Sequence, residues 1–279
     1  ILNIDADHLD YFKNLDNIKK SFRKFAGQTS RLLVLNGDDQ NTLDAVDGVS
    51  LDKLLYGFGE HNDYRAANLT VSHGAVQHFD VIYQGETLTQ VTLNVPGKHN
   101  VLNALAAFAV AHHLGDSPAL IAENLEKFTG VHRRFEILGK PCGITVADDF
   151  AHHPTELTAT LTAAMEMGFK RVWAVFQPHT YSRTAMLLDD FAKALSIPDK
   201  VVMSEILAVR EENTYGIYTK DLAEKIPGSV WFNTFEEITG YICENAQPGD
   251  LVLTLGGGNV YMCAGMILKA LNAKEYHGQ

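Results

Sequence analysis

From residue 144 to 271 the chain repeats one pattern, a short apolar run ending in polar residues followed by a segment with helical spacing. The apolar runs are 144–147, 171–176, 200–206, 229–232 and 250–255, and the helical ones are roughly 154–167, 184–195, 220–226, 235–245 and 261–271. Strands that are apolar on both faces must be covered on both, and helices alternating with them do that. Right-handed crossovers then dictate a doubly wound parallel sheet whose strand carboxyl ends share one edge. To that edge the sequence brings Asp148-Asp149, Gln177-Pro178-His179, Glu205, Asn233 and Gly256-Gly257-Gly258-Asn259. The glycine run lacks Gly-x-Gly-x-x-Gly spacing and follows the last strand instead of the first, so it is not a dinucleotide fingerprint.

The most heavily loaded strand end reads Val-Ala-Asp-Asp-Phe-Ala-His-His-Pro from 146 to 154, with Pro154 opening a helix carried by Leu157, Leu161 and Ala164. Asp and His before a first-turn proline suit a helix cap. One cap needs one side chain, however, and Asp148, Asp149, His152 and His153 crowd four polar groups into six positions. That surplus marks a ligand crevice, where loose helix N–H groups and strand ends converge.

Composition narrows the partners. Across 279 residues, 23 basic against 34 acidic side chains give a net charge of −11 with no basic cluster, which argues against nucleic acid or an anionic membrane as a general partner. Any phosphate must therefore be met by local amides, a metal and a few cations. Cys142, Cys243 and Cys263 are odd in number and never in a Cys-x-x-Cys pair, so neither a disulfide framework nor a zinc site is indicated and a reducing cytoplasm fits. No apolar run reaches the ~18 residues of a membrane span. The chain opens inside an apolar run, Ile1-Leu2-Asn3-Ile4, which reads as a strand needing neighbours on both sides, so an amino-terminal part is expected before it.

Directly after that run comes Asp5-Ala6-Asp7-His8-Leu9-Asp10, the pattern either of a hard-cation site completed by a phosphate or of a solvated strand end. Asn14 can cap a helix with apolar Leu15, Ile18, Phe22 and Phe25, and 31–35 reads as a further strand. From 53 to 95 short alternating runs at 68–72, 78–83 and 88–93, with a turn at Gln84-Gly85-Glu86, suggest an antiparallel flank on an α/β core. A long Ala-rich helix is expected over 101–113, after Pro96-Gly97-Lys98-His99. Asn100 and Asn103 lie three apart on its first turn, where two carboxamides suit an adenine edge or one ordinary cap. Ser117-Pro118 starts another helix ending before Gly130. The domain boundary is expected at Arg134, giving domains 1–134 and 135–279, and Arg133-Arg134 there can clamp phosphate or form a solvated hinge.

Five motifs in order carry a resemblance. Asp-His-Leu-Asp at 7–10, Gly-Lys-His-Asn-Val-Leu-Asn-Ala-Leu-Ala at 97–106, Arg-Arg-Phe-Glu at 133–136, Asp-Asp-Phe-Ala-His-His-Pro at 148–154 and Phe-Gln-Pro-His-Thr-Tyr-Ser-Arg-Thr at 176–184 resemble the Mur ligases of bacterial cell-wall synthesis. The last two are most similar to the member that adds L-alanine to UDP-N-acetylmuramate. The resemblance implies the later part of a P-loop-type central domain, a parallel sheet with an antiparallel flank, followed by a complete Rossmann-like, doubly wound carboxy-terminal domain that takes the amino acid. No Gly-x-x-x-x-Gly-Lys-Ser/Thr occurs, so the P-loop and a UDP-binding domain would precede Ile1, and the chain by itself is not expected to make product.

The same resemblance implies an ATP- and Mg2+-dependent ligase acting through an acyl phosphate, in the cytoplasm. It gives His8 a catalytic role as the imidazole ligand to Mg2+, with Asp7 orienting it. His99, Asn100 and Asn103 match the adenine motif, Arg134 the cation reaching from the domain junction, and Asp149 the acid bonded to ribose. His152, His179 and Arg183 match positions facing muramoyl substrate and amino acid, with His152 and Arg183 catalytic. Phe150 stands where tyrosine is usual and Thr180 where arginine is common, while Gly257 and Asn259 replace alanine and aspartate. Rival readings are a peptide-recycling or folylpolyglutamate ligase of the same superfamily, a two-metal phosphoesterase, and a non-catalytic binding module.

Overall fold

The computed structural model describes residues 1–72 and 76–277. It divides into two compact units, Ile1–Thr129 and Gly130–Gln279. The division falls ahead of the boundary expected at Arg134, because the Arg133 and Arg134 side chains are engaged inside the second unit.

In the first unit α1 (Leu9–Phe12) and α2 (Leu15–Gly27) lead to β1 (Leu32–Asn36), α3 (Gln40–Val46) and β2 (Asp52–Gly57). Then follow β3 (Tyr64–Val71), β4 (Gln77–Tyr83), β5 (Glu86–Leu93), α4 (Lys98–His113) and α5 (Pro118–Glu126). Strand order is β1-β2-β3-β4-β5, parallel across the first three and antiparallel across the last three, which is the expected flank on a parallel sheet. Gln84 at φ 51° and Gly85 at φ 84° give the β4–β5 hairpin the paired left-handed turn that matches strand twist. Helix α4 lays Val101, Leu105 and Phe108, at i, i+4 and i+7, against Tyr64, Phe79 and Val91, all 2% exposed or less. Asn14 caps α2 by accepting from the Asn17 N–H at 3.0 Å, as its position dictates.

Two local expectations change. The run Ile1–Ile4 is extended, but its ladder is confined to Ile1, whose amino group donates to the Val34 carbonyl at 2.8 Å while its carbonyl accepts from the Asn36 N–H at 3.1 Å. Strand β2 and helix α3 form where no clear period was legible, because α3 is short and polar and is held by Asp39, which accepts from the Thr42 N–H at 2.7 Å.

The second unit contains β6 (Glu136–Gly139), β7 (Thr145–Asp149), α6 (Pro154–Glu166), β8 (Val172–Phe176), α7 (Tyr181–Met186) and α8 (Leu188–Ala194). It continues with β9 (Lys200–Ser204), α9 (Thr219–Ala223), β10 (Val230–Phe232), α10 (Phe235–Asn245), β11 (Leu251–Leu255) and α11 (Tyr261–His277). The order β10-β9-β8-β11-β7-β6 is parallel except for β6, which runs antiparallel along β7. One face buries Leu157, Leu161, Phe176, Phe191 and Leu253, and the other buries Val146, Trp173, Val252, Ile242 and Ile267, so helices cover both faces as alternation required. The single helix expected over 184–195 is two, broken at Leu187 (φ −116°, ψ 23°). The break lets α7 turn Ser182 and Thr184 inward while α8 buries Phe191 and Ala194.

At the amino edge of this sheet Asp250, 1% exposed, accepts from Arg171 Nη2 at 2.6 Å, Trp173 Nε1 at 3.0 Å and the Gln247 N–H at 2.9 Å. Burial works to raise its pKa, but these hydrogen bonds outweigh it and hold the carboxyl below its ordinary value. A carboxyl depressed in the folded state stabilises fully above its unfolded pKa, and the contribution is lost as pH falls through the folded one. The stability gap between wild type and Asp250→Asn in urea titrations is thus expected to be largest at neutral pH and to close below about pH 4. A gap that persisted to the acid limit would remove the charge from the account.

Candidate active site

In the first unit His8 is the residue before α1, held left-handed at φ 53° and ψ 41°, with its carbonyl accepting from the Phe12 N–H at 2.9 Å. That turn throws the imidazole outward, so its side chain is 66% exposed and Nε2 lies 3.6 Å from Asp7 Oδ2. Asp7 also accepts from the His8 N–H at 2.7 Å. Among the described residues no group of three or more His, Cys, Asp or Glu is arranged to hold a metal. A cation here would take few protein donors, which suits Mg2+, since it retains waters and shares substrate phosphates.

Helix α4 begins at Lys98 after Gly97 (φ 95°, ψ 138°), which offers no side-chain cap; the Asn100 N–H donates to the Gly97 carbonyl at 2.9 Å, and His99 on the first turn is exposed. Asn100 is not its cap. Its Nδ2 donates to the Pro96 carbonyl at 2.7 Å, and its Oδ1 accepts from Asn103 Nδ2 at 3.4 Å. Buried Gln77 fixes the approach by donating to the Val95 and Gly97 carbonyls at 2.7 and 3.2 Å. The structure therefore couples the two asparagines, as their spacing suggested.

In the second unit Asp149 ends β7, 5% exposed, with Oδ2 accepting from the Phe135 N–H at 2.8 Å and Oδ1 from the Ala151 N–H at 2.7 Å. Burial raises its pKa, against the pull of those two amides and Arg134. Arg134 is exposed, pairs with Glu156 at 3.8 Å and stands over the Phe150 ring at 5.7 Å. Its neighbour Arg133 behaves differently. It donates to Asp148 Oδ2 at 2.8 Å and to the Gly256 and Gly258 carbonyls at 2.8 and 3.2 Å, with its guanidinium stacked on Phe150 and Tyr261. Arg133 is consequently neither a phosphate clamp nor a solvated hinge.

His153 supplies the cap of α6, accepting from the Thr155 N–H at 3.3 Å, while Glu156 accepts from the His152 and His153 N–H groups. The His152 ring also has its Nδ1 3.4 Å from Glu156, which leaves Nε2 for other work. Its Nδ1 is 2.9 Å from the Phe150 carbonyl, an acceptor only, so Nδ1 carries the proton of the neutral ring and Nε2 keeps a lone pair. The His179 ring lies 5.8 Å away, centre to centre. There Arg183 Nη1 approaches Nδ1 at 3.4 Å, which makes Nδ1 the acceptor and leaves Nε2–H as a donor. Burial above all, then Arg183 and His152 nearby, lowers the His179 pKa against the pull of Glu211, and the lowering favours the neutral ring. Thus His152, His179 and Arg183 gather on one edge with one acceptor, one donor and one cation.

Two of the departures from the family pattern have local reasons. A Cβ on Gly257 would come within 3.1 Å of the His152 ring, so glycine here lets the imidazole lie close. Thr180 caps α7, its Oγ1 accepting from the Arg183 N–H at 3.4 Å, which an arginine could not do. Glu211 was not singled out by its sequence, although it lies in the loop after β9, on the edge that gathers polar residues. Its carboxylate accepts from the Ser182 N–H at 2.8 Å and Ser182 Oγ at 2.5 Å.

Known proteins resemble this chain along both units. The Mur ligase middle domain matches residues 1–111, and the Mur ligase glutamate ligase domain matches residues 133–258. A UDP-N-acetylmuramate–L-alanine ligase of Caldanaerobacter subterraneus is 44% identical over 267 residues, covering 94% of this chain and 58% of the relative. One from Agathobacter rectalis is 45% identical over 275 residues, covering 96% and 60%. The crystal structure of the UDP-N-acetylmuramate-alanine ligase of Thermotoga maritima superposes with a TM-score of 0.79 at 28% identity, over 98% of this chain and 59% of that one. The chain thus spans about 60% of the length of the relatives it matches. By these matches, which cover both sheets, the chain belongs to the Mur ligase family and carries its middle and glutamate ligase domains.

Proposed function

We propose that the chain is the larger part of a cytoplasmic, ATP-dependent ligase that joins L-alanine to UDP-N-acetylmuramate in peptidoglycan precursor synthesis. The observation that supports this most is identity of 41–45% along nearly the whole chain to enzymes of that name. A carboxylate does not accept an amine directly, because oxide is no leaving group. Transfer of the γ-phosphoryl group of ATP to the muramoyl carboxylate gives an acyl phosphate and ADP. The alanine nitrogen then forms the C–N bond as phosphate departs with the bonding pair, and the amine loses a proton.

In this reading Arg183 takes the amino-acid carboxylate through its planar fork, and His179 Nε2–H donates to a substrate oxygen. The open lone pair on His152 Nε2 receives the amine proton. His99, Asn100 and Asn103 meet adenine, and Arg134 and Asp149 are assigned to the nucleotide as well. His8, oriented by Asp7, would hold Mg2+, which when bound neutralises charge on the transferred phosphate. The test is incorporation of labelled L-alanine, tripeptide or glutamate by the full-length protein with ATP and UDP-N-acetylmuramate. Alanine is expected, tripeptide would indicate a recycling enzyme, and no amide product would end the reading. Within it, Arg183→Lys is expected to weaken alanine binding by about 1–3 kcal/mol, read as a raised KM for alanine, since an ammonium cannot reproduce the two-pronged contact.

A further inference from the structure

The loop from Glu205 to Tyr218 joins β9 to α9 without regular structure and is tied to the reactive edge at two points. At the first, Leu207 pairs with His179 like one more rung of the sheet, its N–H donating to the Pro178 carbonyl at 2.9 Å and its carbonyl accepting from the Thr180 N–H at 3.0 Å. At the second, both oxygens of Glu211 grip Ser182, one residue before Arg183. Between the two ties the chain turns at Val209, at φ 58°, and the Glu211 N–H donates to the Ala208 carbonyl at 3.0 Å. Asn213 closes the far side by bonding the Ile217 N–H and carbonyl at 3.2 and 2.9 Å.

A helix of six residues has too few internal bonds to hold its own orientation, and its first N–H groups lack partners inside it. Ser182 is 8% exposed, so its amide and hydroxyl need an acceptor that comes from the protein, and Glu211 provides one for each. Resting on the reading that Arg183 and His179 receive the amino acid, we propose that Glu211 is a positioning residue: by holding Ser182 it sets the rotation of α7, and with it the Arg183 fork and the His179 ring. The groups facing His179 are Arg183, His152 and Glu211. The first two oppose its protonation and Glu211 favours it.

Three variants of the full-length enzyme test this. Glu211→Ala is expected to raise the KM for L-alanine about 10-fold while the KM for ATP stays within about twofold, the loss of a charge-assisted pair of bonds at one substrate only. Glu211→Gln keeps an acceptor for the Ser182 amide and a partner for its hydroxyl, so it should restore the alanine KM. It removes the charge, so the His179 titration followed by NMR should move to lower pH. Should Glu211→Ala fail to fold, Ser182→Ala, which deletes only one of the two bonds, is expected to raise the alanine KM about threefold. An unchanged alanine KM in Glu211→Ala, or equal rises for alanine and ATP, overturns the proposal while the ligase reading stands. If Arg183→Ala also leaves the alanine KM unaltered, the reading beneath it falls too.

Discussion

Replacing His8 by alanine in the full-length enzyme is expected to lower kcat by about 10²–10³-fold, the usual cost of removing one group that stabilises developing charge. The same change should leave the melting temperature nearly untouched. The His8 side chain is 66% exposed and its Nε2 approaches Asp7 at 3.6 Å. Surface substitutions away from special backbone positions stay within about 0.5 kcal/mol, and the left-handed φ of 53° at His8 adds the main cost to be expected from alanine there. The separation between turnover and stability is the informative part. A parallel fall in both would mean that the left-handed turn ahead of α1, and not the imidazole, is what matters. Raising Mg2+ should recover part of the rate if His8 binds the cation, whereas full activity at ordinary Mg2+ would discard the role.

Arg133→Ala is expected to act in the opposite sense, costing about 3–5 kcal/mol of second-unit stability, read from urea denaturation, before any effect on chemistry is considered. The reason is what the arginine leaves behind. Asp148 is 1% exposed, and with Arg133 gone its remaining side-chain partner is Thr254, whose hydroxyl donates at 2.5 Å. A carboxylate buried beside one hydroxyl is poorly compensated. The Gly256 and Gly258 carbonyls lose their donors in the same step. Introducing Asp148→Asn into Arg133→Ala should recover much of the loss, because the stranded charge is removed; a double variant no more stable than the single would show that packing against Phe150 and Tyr261 dominates instead.

Much of the second unit was legible because β8 and β11 are nearly solid apolar runs and the starts of α6 and α10 are announced by a proline or a cap. Thr234 with Glu237 and His153 with Glu156 both form the reciprocal capping box. Clustering of polar residues at strand ends made visible the edge on which the structure brings His152, His179 and Arg183 together. Pairing across long sequence separations was not legible. Nothing local to Arg133 says that its partners are 15 and 123 residues away, so it read as a surface cation beside Arg134. Likewise the Glu211 contact with Ser182 spans 29 residues. Asn100 shows a subtler limit, since residue type and position suit a cap, yet the carboxamide turns back to Pro96. In the first unit the run from Gln40 to Val46 was opaque because it is too short to establish a period.

The place of β11 has a consequence for how the polypeptide reaches this state. It is the last of the described strands, yet it fills the gap between β7 and β8, whose paired residues precede its own by 106 and 79 positions, Leu251 lying against Thr145 and Val172. Until it arrives, two apolar strands have each lost a neighbour and present open ladders. The sheet therefore cannot close until β11 is available, and before then the two open ladders are free to pair with another strand.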